Sequence, residues 1–399
     1  MKKDDLPCVL GGISPQEFMR VYWQKKPLLI RQAIPGMQAL LSRKELFELA
    51  SEQDVESRLV SGDGDAQPWQ MRNGPFKPRA LPSVSRPNWT LLVQGVDLHV
   101  DAFADLRDRF RFIPDARLDD VMVSYAAPGG GVGPHFDSYD VFLLQGAGTR
   151  RWQFGRQRDL SLIDGVPLKI LKRFGAQHDL VMQSGDLLYL PPHYAHNGTA
   201  LGACLTWSIG MRAPTQREVA SQFLDYLQDR LQVGNVYRDP GLKQRRHPAA
   251  ISAQMRDVLR GMIKSIRWSN ADIDRYLGEM LSEPRQSVVF DPPSRMSGAA
   301  FAQKADQRGL QLDLRTRLLF DRKAFFINGE SIVVTSTDAR ILRTLADERA
   351  LAAGTHLSRT ALALLQEWHA AGFVRFGESA PQPAAKQSNR RPAAARARR

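Results

Sequence analysis

The sequence predicts an α+β protein: a β-barrel or β-sandwich, then a helical region, then a small domain of helices and a hairpin. Three observations predict this order. Short apolar segments separated by Gly-rich turns run from about residue 91 to residue 211, as in all-β sandwiches and barrels. Apolar residues then recur at three- and four-residue spacing up to about residue 282, as in amphipathic helices. A hairpin signal and two more helical patterns follow from about residue 309.

The N-terminal segment is predicted to begin with a helix and a strand. Ser14 is a suitable N-cap, Pro15 occupies the first helical position, and Glu17 places an acid in the first turn. Pro27 ends this helix, and the apolar residues 28–30 predict a strand. We assign these elements and the barrel to one domain, residues 1–213.

The predicted barrel strands are short, apolar and rich in β-branched and aromatic residues. Turn sequences at 128–131, 146–148 and 202 separate them. The predicted strands are 121–125, 141–144, 151–154, 186–190 and 205–209.

Residues 214–292 are predicted to be helical, and Pro284 and Pro292 begin a linker. Ser269 and Asp272 form a plausible cap for the last helix. Because the apolar stripes of these helices need burial, we predict that they form a homodimer interface. The predicted helices are 216–234, about 250–266 and about 270–282.

The last folded part, residues 293–378, is predicted to be a winged-helix domain. Asn328-Gly329 between two apolar segments is a strong hairpin signal. Helical patterns near 337–350 and 358–371 follow, and a strand at 373–376 ends the domain.

Length and composition are those of a soluble globular protein with two or three domains. The chain has 399 residues, 43% of them hydrophobic and 24% charged. No apolar segment is long enough to span a bilayer, and no secretory signal follows the charged N-terminus. Two cysteines cannot build a disulfide framework. We therefore expect a cytoplasmic protein with no membrane partner.

Six of the thirteen excess positive charges lie near the C-terminus. Residues 379–399 form a Pro/Ala/Arg tail that cannot bury a core and is expected to be disordered. One interpretation of this composition is a weak contact with ribosomal RNA. The favoured interpretation is a solvated extension without a specific partner. Six basic residues lie in it: Lys386, Arg390, Arg391, Arg396, Arg398 and Arg399.

Two residues of one short strand, His135 and Asp137, indicate the chemistry of the chain. Side chains at i and i+2 of a strand point to the same side, so an imidazole and a carboxylate converge. His196 follows a strand and a Pro-Pro turn and supplies a third group. Two histidines and one carboxylate form the facial triad of non-haem Fe(II) oxygenases. His193 competes for the third position, but it lies on the turn itself, so we favour His196.

A His-x-Asp triplet alone is weak evidence, because a strand histidine bonded to a neighbouring acid has the same sequence. Two further features favour a metal site: a Gly-rich corner precedes the triplet, and Arg150 is suited to a dicarboxylate. The Gly129–Gly133 segment lacks the Lys-Ser/Thr of a phosphate-binding loop and does not begin a helix. We therefore reject a nucleotide site.

Residues 128–142 and 145–152, PGGGVGPHFDSYDVF and QGAGTRRW, resemble the bacterial ribosomal oxygenases. These are JmjC-type 2-oxoglutarate enzymes that hydroxylate an arginine of a large-subunit ribosomal protein. The pattern Phe18-x-x-x-Tyr22-Trp23 and the Pro-Pro turn before His196 match as well. The resemblance covers nearly the whole chain up to about Glu378, and the Arg-rich tail is not part of the family pattern.

The resemblance implies a double-stranded β-helix of the JmjC and cupin type, a helical dimerisation region and a winged helix. It implies Fe(II), 2-oxoglutarate and O₂ as reactants, with succinate and CO₂ as co-products. Arg150 matches the residue that binds the distal carboxylate of 2-oxoglutarate, whereas Arg151 would point to the other side of the strand. Thr206 and Ser124 match co-substrate positions, although either is equally well a satisfied barrel hydroxyl. The matching iron ligands are His135, Asp137 and His196.

Substrate specificity rests on the resemblance alone. An arginyl substrate should meet carboxylates or aromatic faces at the barrel mouth, and Tyr139 and Asp140 are the nearest candidates. Histidyl or lysyl protein substrates would use the same iron centre. The alternative that is not an enzyme is a metal-sensing, DNA-binding regulator. Against it, the predicted recognition helix carries few charges, among them Arg359 and Glu367.

Overall fold

The computed structural model describes residues 9–377 except 63, 65, 66, 232, 233, 235, 244 and 245. These residues form two compact units. The first unit comprises the described residues up to Val289 together with Arg317–Ile332. The second comprises Phe290–Thr316 and the described residues from Val333 onward. No helix of the described residues has the length and apolar character to cross a membrane.

Two antiparallel sheets build the predicted barrel in the first unit. In spatial order, the larger sheet contains β1 (Leu28–Ile30), β10 (Leu187–Leu190), β7 (Val141–Ala147), β12 (Cys204–Met211), β5 (Leu118–Ala126), β4 (Trp89–Val93), β2 (Ser57–Ser61) and β3 (Gln70–Asn73). The smaller contains β6 (His135–Phe136), β11 (Tyr194–Ala200), β8 (Arg150–Arg156) and β9 (His178–Met182). All five strands predicted for the barrel are present.

Apolar side chains fill the space inside the barrel, among them Leu143, Trp152 and Leu188. The outer face of the larger sheet packs on three N-terminal helices and forms the main core. As predicted, Ser14 caps the first of them, its Oγ accepting from the Glu17 N–H at 3.1 Å. These helices are α1 (Pro15–Val21), α2 (Arg43–Leu49) and α3 (Asp101–Asp108).

Three predicted helices follow the barrel: α4 (Gln216–Arg230), α5 (Ala253–Lys264) and α6 (Asn270–Ser282). Ser269 and Asp272 form the expected capping box at α6. Helices α4 and α6 pack together through Tyr226, Leu227 and Tyr276.

The predicted Asn328-Gly329 hairpin forms, and it lies in the first compact unit. Its three strands are β14 (Leu318–Phe320), β15 (Phe325–Ile327) and β16 (Glu330–Ile332). The ring of Phe326 packs on Gly278 of α6 so closely that a Cβ there would lie 2.3 Å from it. The Gly329 N–H also donates to Ser282 Oγ at 3.1 Å. This packing couples the hairpin to α6.

The second unit combines α7 (Gly298–Arg308), α8 (Ser336–Glu348) and α9 (Arg359–Ala370) with a small sheet. In order, that sheet contains β17 (Ala350–Leu351), β13 (Leu310–Leu312) and β18 (Val374–Phe376). The helices 337–350 and 358–371 and the final strand were thus predicted correctly. The predicted tail, 379–399, lies outside the described residues, and the four-part division of the chain stays a prediction.

Candidate metal centre

The fold brings His135, Asp137 and His196 together. One potential ligand atom from each lies within 4.8 Å of the others. His135 on β6 pairs directly with His196 on β11, and their ring centroids are 4.2 Å apart. Asp137 Oδ2 lies 3.7 Å from His196 Nε2. The three groups therefore form a compact set of nitrogen and oxygen donors on one side of the smaller sheet.

Backbone carbonyls orient both imidazoles. The Nδ1 atoms of His135 and His196 lie 2.9 Å from the carbonyl oxygens of Gly133 and Tyr194. Because a carbonyl only accepts hydrogen bonds, each Nδ1 carries a proton, and Nε2 is therefore the ring nitrogen through which each histidine can bind a metal. Burial, followed by the nearby His135, lowers the pKa of His196. A neutral imidazole is the form that binds a metal.

The Gly-rich corner has a specific role at Gly133. This residue has φ of +75°, and a Cβ there would lie 2.5 Å from Ile170 Cδ1 and 3.0 Å from the Trp69 ring. Only glycine fits this conformation without displacing its neighbours. The corner thereby fixes the carbonyl that holds His135.

The structure shows which of the two histidines after Pro191-Pro192 belongs to the metal centre. His193 is exposed, on the turn, with φ of +63°. The His193 N–H donates to the Asp137 carbonyl at 2.8 Å, and this hydrogen bond helps to fix the backbone at Asp137. His196 is 3% exposed and lies on β11 beside His135.

A buried arginine lies on β8, the strand that pairs with the His196 strand β11. Arg150 is 3% exposed and donates to Ser124 Oγ at 3.4 Å, Thr206 Oγ1 at 3.3 Å and the Gly198 carbonyl at 3.1 Å. Among the described residues no carboxylate lies within 4 Å of its guanidinium, and burial lowers its pKa. A buried cation without a counter-ion is unfavourable. The site is therefore suited to an anion.

Gln145 completes this polar group, and sequence reasoning missed it. Its side chain is fully buried on β7, where Oε1 accepts from Thr206 Oγ1 at 3.1 Å. Its Nε2 donates to the Leu205 carbonyl at 3.2 Å. The signal was available, since Gln145 is a lone polar residue directly after the apolar segment 141–144.

Arg151 lies on the opposite side of the same strand. Its side chain is 49% exposed, and its Nε donates to Asp179 Oδ1 at 2.8 Å. The alternation along β8 thus separates a buried arginine from a surface ion pair.

The structure disagrees with the prediction that Asp140 contacts the substrate. Asp140 is fully buried, and its carboxylate accepts from the Tyr189 hydroxyl at 2.6 Å, Gln24 Nε2 at 2.9 Å and Arg117 at 3.3 Å. These bonds satisfy the carboxylate within the fold. Tyr139, the other candidate, is 41% exposed.

The Gly198→Ala substitution is expected to weaken anion binding at Arg150 by about 5- to 150-fold. This range corresponds to ~1–3 kcal/mol, the usual cost of adding a methyl group to a well-packed site. A Cβ at Gly198 would lie 2.7 Å from Arg150 Nε and 2.8 Å from the Trp152 ring. Calorimetric titration with 2-oxoglutarate checks this. Gly202→Ala is the control, because nothing lies within 4 Å of a Cβ there. Equal affinities in the two variants would contradict the steric argument.

Comparisons with known proteins agree with this geometry. Residues 105–219 match the JmjC domain family, and residues 265–375 match the ROXA-like winged helix. The ribosomal protein uL16 3-hydroxylase of Escherichia coli is 39% identical over 279 residues, 69% of this chain and 74% of the relative. The crystal structure of E. coli YcfD superposes with a TM-score of 0.80 at 34% identity, covering 92% of this chain and 98% of YcfD. A second YcfD structure, in complex with cobalt and 2-oxoglutarate, has a TM-score of 0.77 at the same identity, covering 92% of this chain and 98% of that chain.

Proposed function

Because this chain belongs to the JmjC-type bacterial ribosomal oxygenases, we propose that it hydroxylates an arginine residue of ribosomal protein uL16, using Fe(II), 2-oxoglutarate and O₂. The observation that carries the proposal is the His135–Asp137–His196 cluster together with the buried Arg150, which has no carboxylate partner among the described residues. The name of the E. coli relative supports uL16 as the substrate. Arginine as the modified residue rests on the sequence motifs of the family.

We propose His135, Asp137 and His196 as the Fe(II) ligands. The donor set fits, since two imidazoles and one carboxylate leave further coordination positions open. When bound, the iron and 2-oxoglutarate supply oxidative decarboxylation to succinate and CO₂, with transfer of one oxygen atom to the substrate. The chain's own contribution is to hold the two Nε2 atoms and the carboxylate in place.

Arg150, Ser124 and Thr206 are the proposed co-substrate residues. The planar guanidinium can donate two parallel hydrogen bonds to the distal carboxylate of 2-oxoglutarate. Gln145 accepts from the Thr206 hydroxyl and so fixes its orientation. Because all four side chains are buried, they bind the carboxylate away from competing water.

For the substrate side chain we propose Tyr139, whose ring is exposed two residues beyond Asp137. An aromatic face attracts a guanidinium. A histidyl or lysyl substrate would use the same ligands, so the modified residue must be identified directly.

The function is tested by incubating the purified protein with Fe(II), 2-oxoglutarate and uL16, followed by peptide mass spectrometry. We expect a gain of about 16 Da, one oxygen atom, on an arginine, with succinate formed and no gain when 2-oxoglutarate is omitted. A gain on histidine or lysine would correct the specificity. An unmodified uL16, together with DNA binding that is indifferent to 2-oxoglutarate, would favour the regulator.

We also propose that the protein is a homodimer joined through its helical region. Helix α5 exposes a row of apolar side chains, and a second copy of the chain would cover it. The row comprises Met255, Val258, Leu259 and Ile263.

Replacing Val258 and Leu259 together by lysine is expected to convert a dimer into a monomer, since two charges would face the apolar row. Light scattering at micromolar concentration measures this. Asp257→Lys, on the same helix, is the control, because Asp257 forms only a surface ion pair with Arg260. A monomeric unsubstituted protein would contradict the proposal.

Two further proposals follow from a ribosomal protein substrate. The protein is expected to act in the cytoplasm, where ribosomes are assembled. For the basic tail, residues 379–399, we propose first a solvated, non-specific extension and second a weak contact of its arginines with ribosomal RNA.

A further inference from the structure

The larger sheet continues beyond the barrel through β4, β2 and β3. Register places Ser124, Leu92, Arg58 and Asn73 in one row across the four strands. Paired residues of neighbouring strands point to the same side of a sheet. Arg58 and Asn73 therefore share the face of Ser124, a proposed co-substrate residue. Met71 lies two residues before Asn73 and belongs to the same face.

Trp69 connects this face to the metal centre. Its ring lies beside Gly133, where a Cβ would approach it to 3.0 Å. The Gly133 carbonyl in turn holds the His135 imidazole at 2.9 Å. We call the four side chains Arg58, Trp69, Met71 and Asn73 the shelf.

The shelf is accessible and has unused hydrogen-bonding capacity. Arg58, Trp69 and Met71 are partly buried, and Asn73 is exposed. The Nε of Arg58 is buried and has no hydrogen-bond partner among the described residues. Buried donors are normally satisfied, so this Nε is an exception, but it is closed to solvent. Contacts with an external ligand would therefore come from the exposed part of the Arg58 side chain and from the amide of Asn73.

We propose that the shelf binds the segment of the substrate polypeptide next to the hydroxylated residue. Arg58 and Asn73 donate to its backbone carbonyls, while Trp69 and Met71 pack on its side chains. Ser124 and Asn73 are three strand spacings apart, ~14 Å at ~4.8 Å each, which about four extended residues would span. A ligand that reaches from Ser124 to Asn73 must therefore be a chain of several residues.

This inference rests on the proposed function and deepens it. The shelf precedes residues 105–219, the part that matches the JmjC domain. It therefore supplies specificity for the protein substrate from outside the matched domain, without contact to the metal or co-substrate.

The test compares uL16 hydroxylation with 2-oxoglutarate turnover in the absence of uL16. Arg58→Gln is expected to raise KM for uL16 at least tenfold and to leave uL16-independent turnover within twofold of the unsubstituted enzyme. Arg72→Gln is the matched control, because Arg72 is exposed on the opposite side of β3 and should change neither quantity. Asn73→Trp, at an exposed position that tolerates a large side chain, should block the shelf and raise KM likewise.

The outcomes separate the two proposals. If the unsubstituted enzyme hydroxylates uL16 and the Asn73→Trp and Arg58→Gln enzymes keep its KM within twofold, the shelf proposal is overturned and the function stands. If the unsubstituted enzyme turns over 2-oxoglutarate but leaves uL16 unmodified, both proposals fail for this substrate. A rise in KM with Arg72→Gln equal to that with Arg58→Gln also overturns the shelf, since the effect would not depend on the face.

Discussion

Replacing Asp137 by alanine is expected to lower 2-oxoglutarate turnover by more than about 100-fold, because even residues that only orient a metal ligand contribute ~10- to 100-fold. The substitution removes the one carboxylate of the triad and leaves the imidazoles of His135 and His196. The loss should appear first as weaker metal binding. Equilibrium dialysis with Mn(II) and a succinate assay measure the two effects separately.

Asp179→Ala is the matched control for this substitution. Asp179 is also an aspartate of the smaller sheet, but its carboxylate forms a surface ion pair with Arg151. Surface pairs contribute ~0–1 kcal/mol, so turnover should be retained. Full succinate production by the Asp137→Ala enzyme would rule out the proposed iron centre.

Replacing Arg150 by methionine is expected to raise KM for 2-oxoglutarate between about 30-fold and several thousand-fold. Truncating one partner of a buried charge pair costs ~2–5 kcal/mol, and no other cation among the described residues contacts Ser124 or Thr206. Metal binding should remain, because Arg150 donates to hydroxyl and carbonyl groups and not to the triad. Steady-state kinetics and Mn(II) dialysis together measure this separation.

Arg151→Met provides the control one residue away. The chemical change is identical, but the Arg151 side chain is half exposed and pairs with Asp179. We expect less than a twofold change in KM for 2-oxoglutarate. Equal effects of the two substitutions would contradict the assignment of Arg150 to the distal carboxylate.

Local patterns predicted much of the first unit. Ser14 and Ser269 cap helices as their sequence context indicates, since capping depends on residues three or four positions apart. Strand alternation predicted that His135 and Asp137 lie close together, and they do, although β6 ends at Phe136 and Asp137 directly follows it. The Gly-rich corner was also predicted from the sequence, and Gly133 adopts the positive φ that glycine favours.

The features that the sequence did not predict depend on long-range packing. The Asn328-Gly329 turn was predictable, yet its attachment to α6 depends on Gly278, 50 residues earlier in the chain. Asp140 follows Tyr139 in a turn-like sequence, but contacts with Gln24, Arg117 and Tyr189 place it inside the fold. The extension of the sheet escaped prediction because β3 is a short, mostly exposed edge strand without apolar alternation.

The most direct test of the iron centre is anomalous diffraction from crystals grown with Mn(II) and 2-oxoglutarate. We predict one manganese peak within coordination distance of Nε2 of His135, Nε2 of His196 and the Asp137 carboxylate, with the distal carboxylate of 2-oxoglutarate on Arg150. A peak elsewhere, or a triad whose side chains diverge when metal is present, would contradict the account.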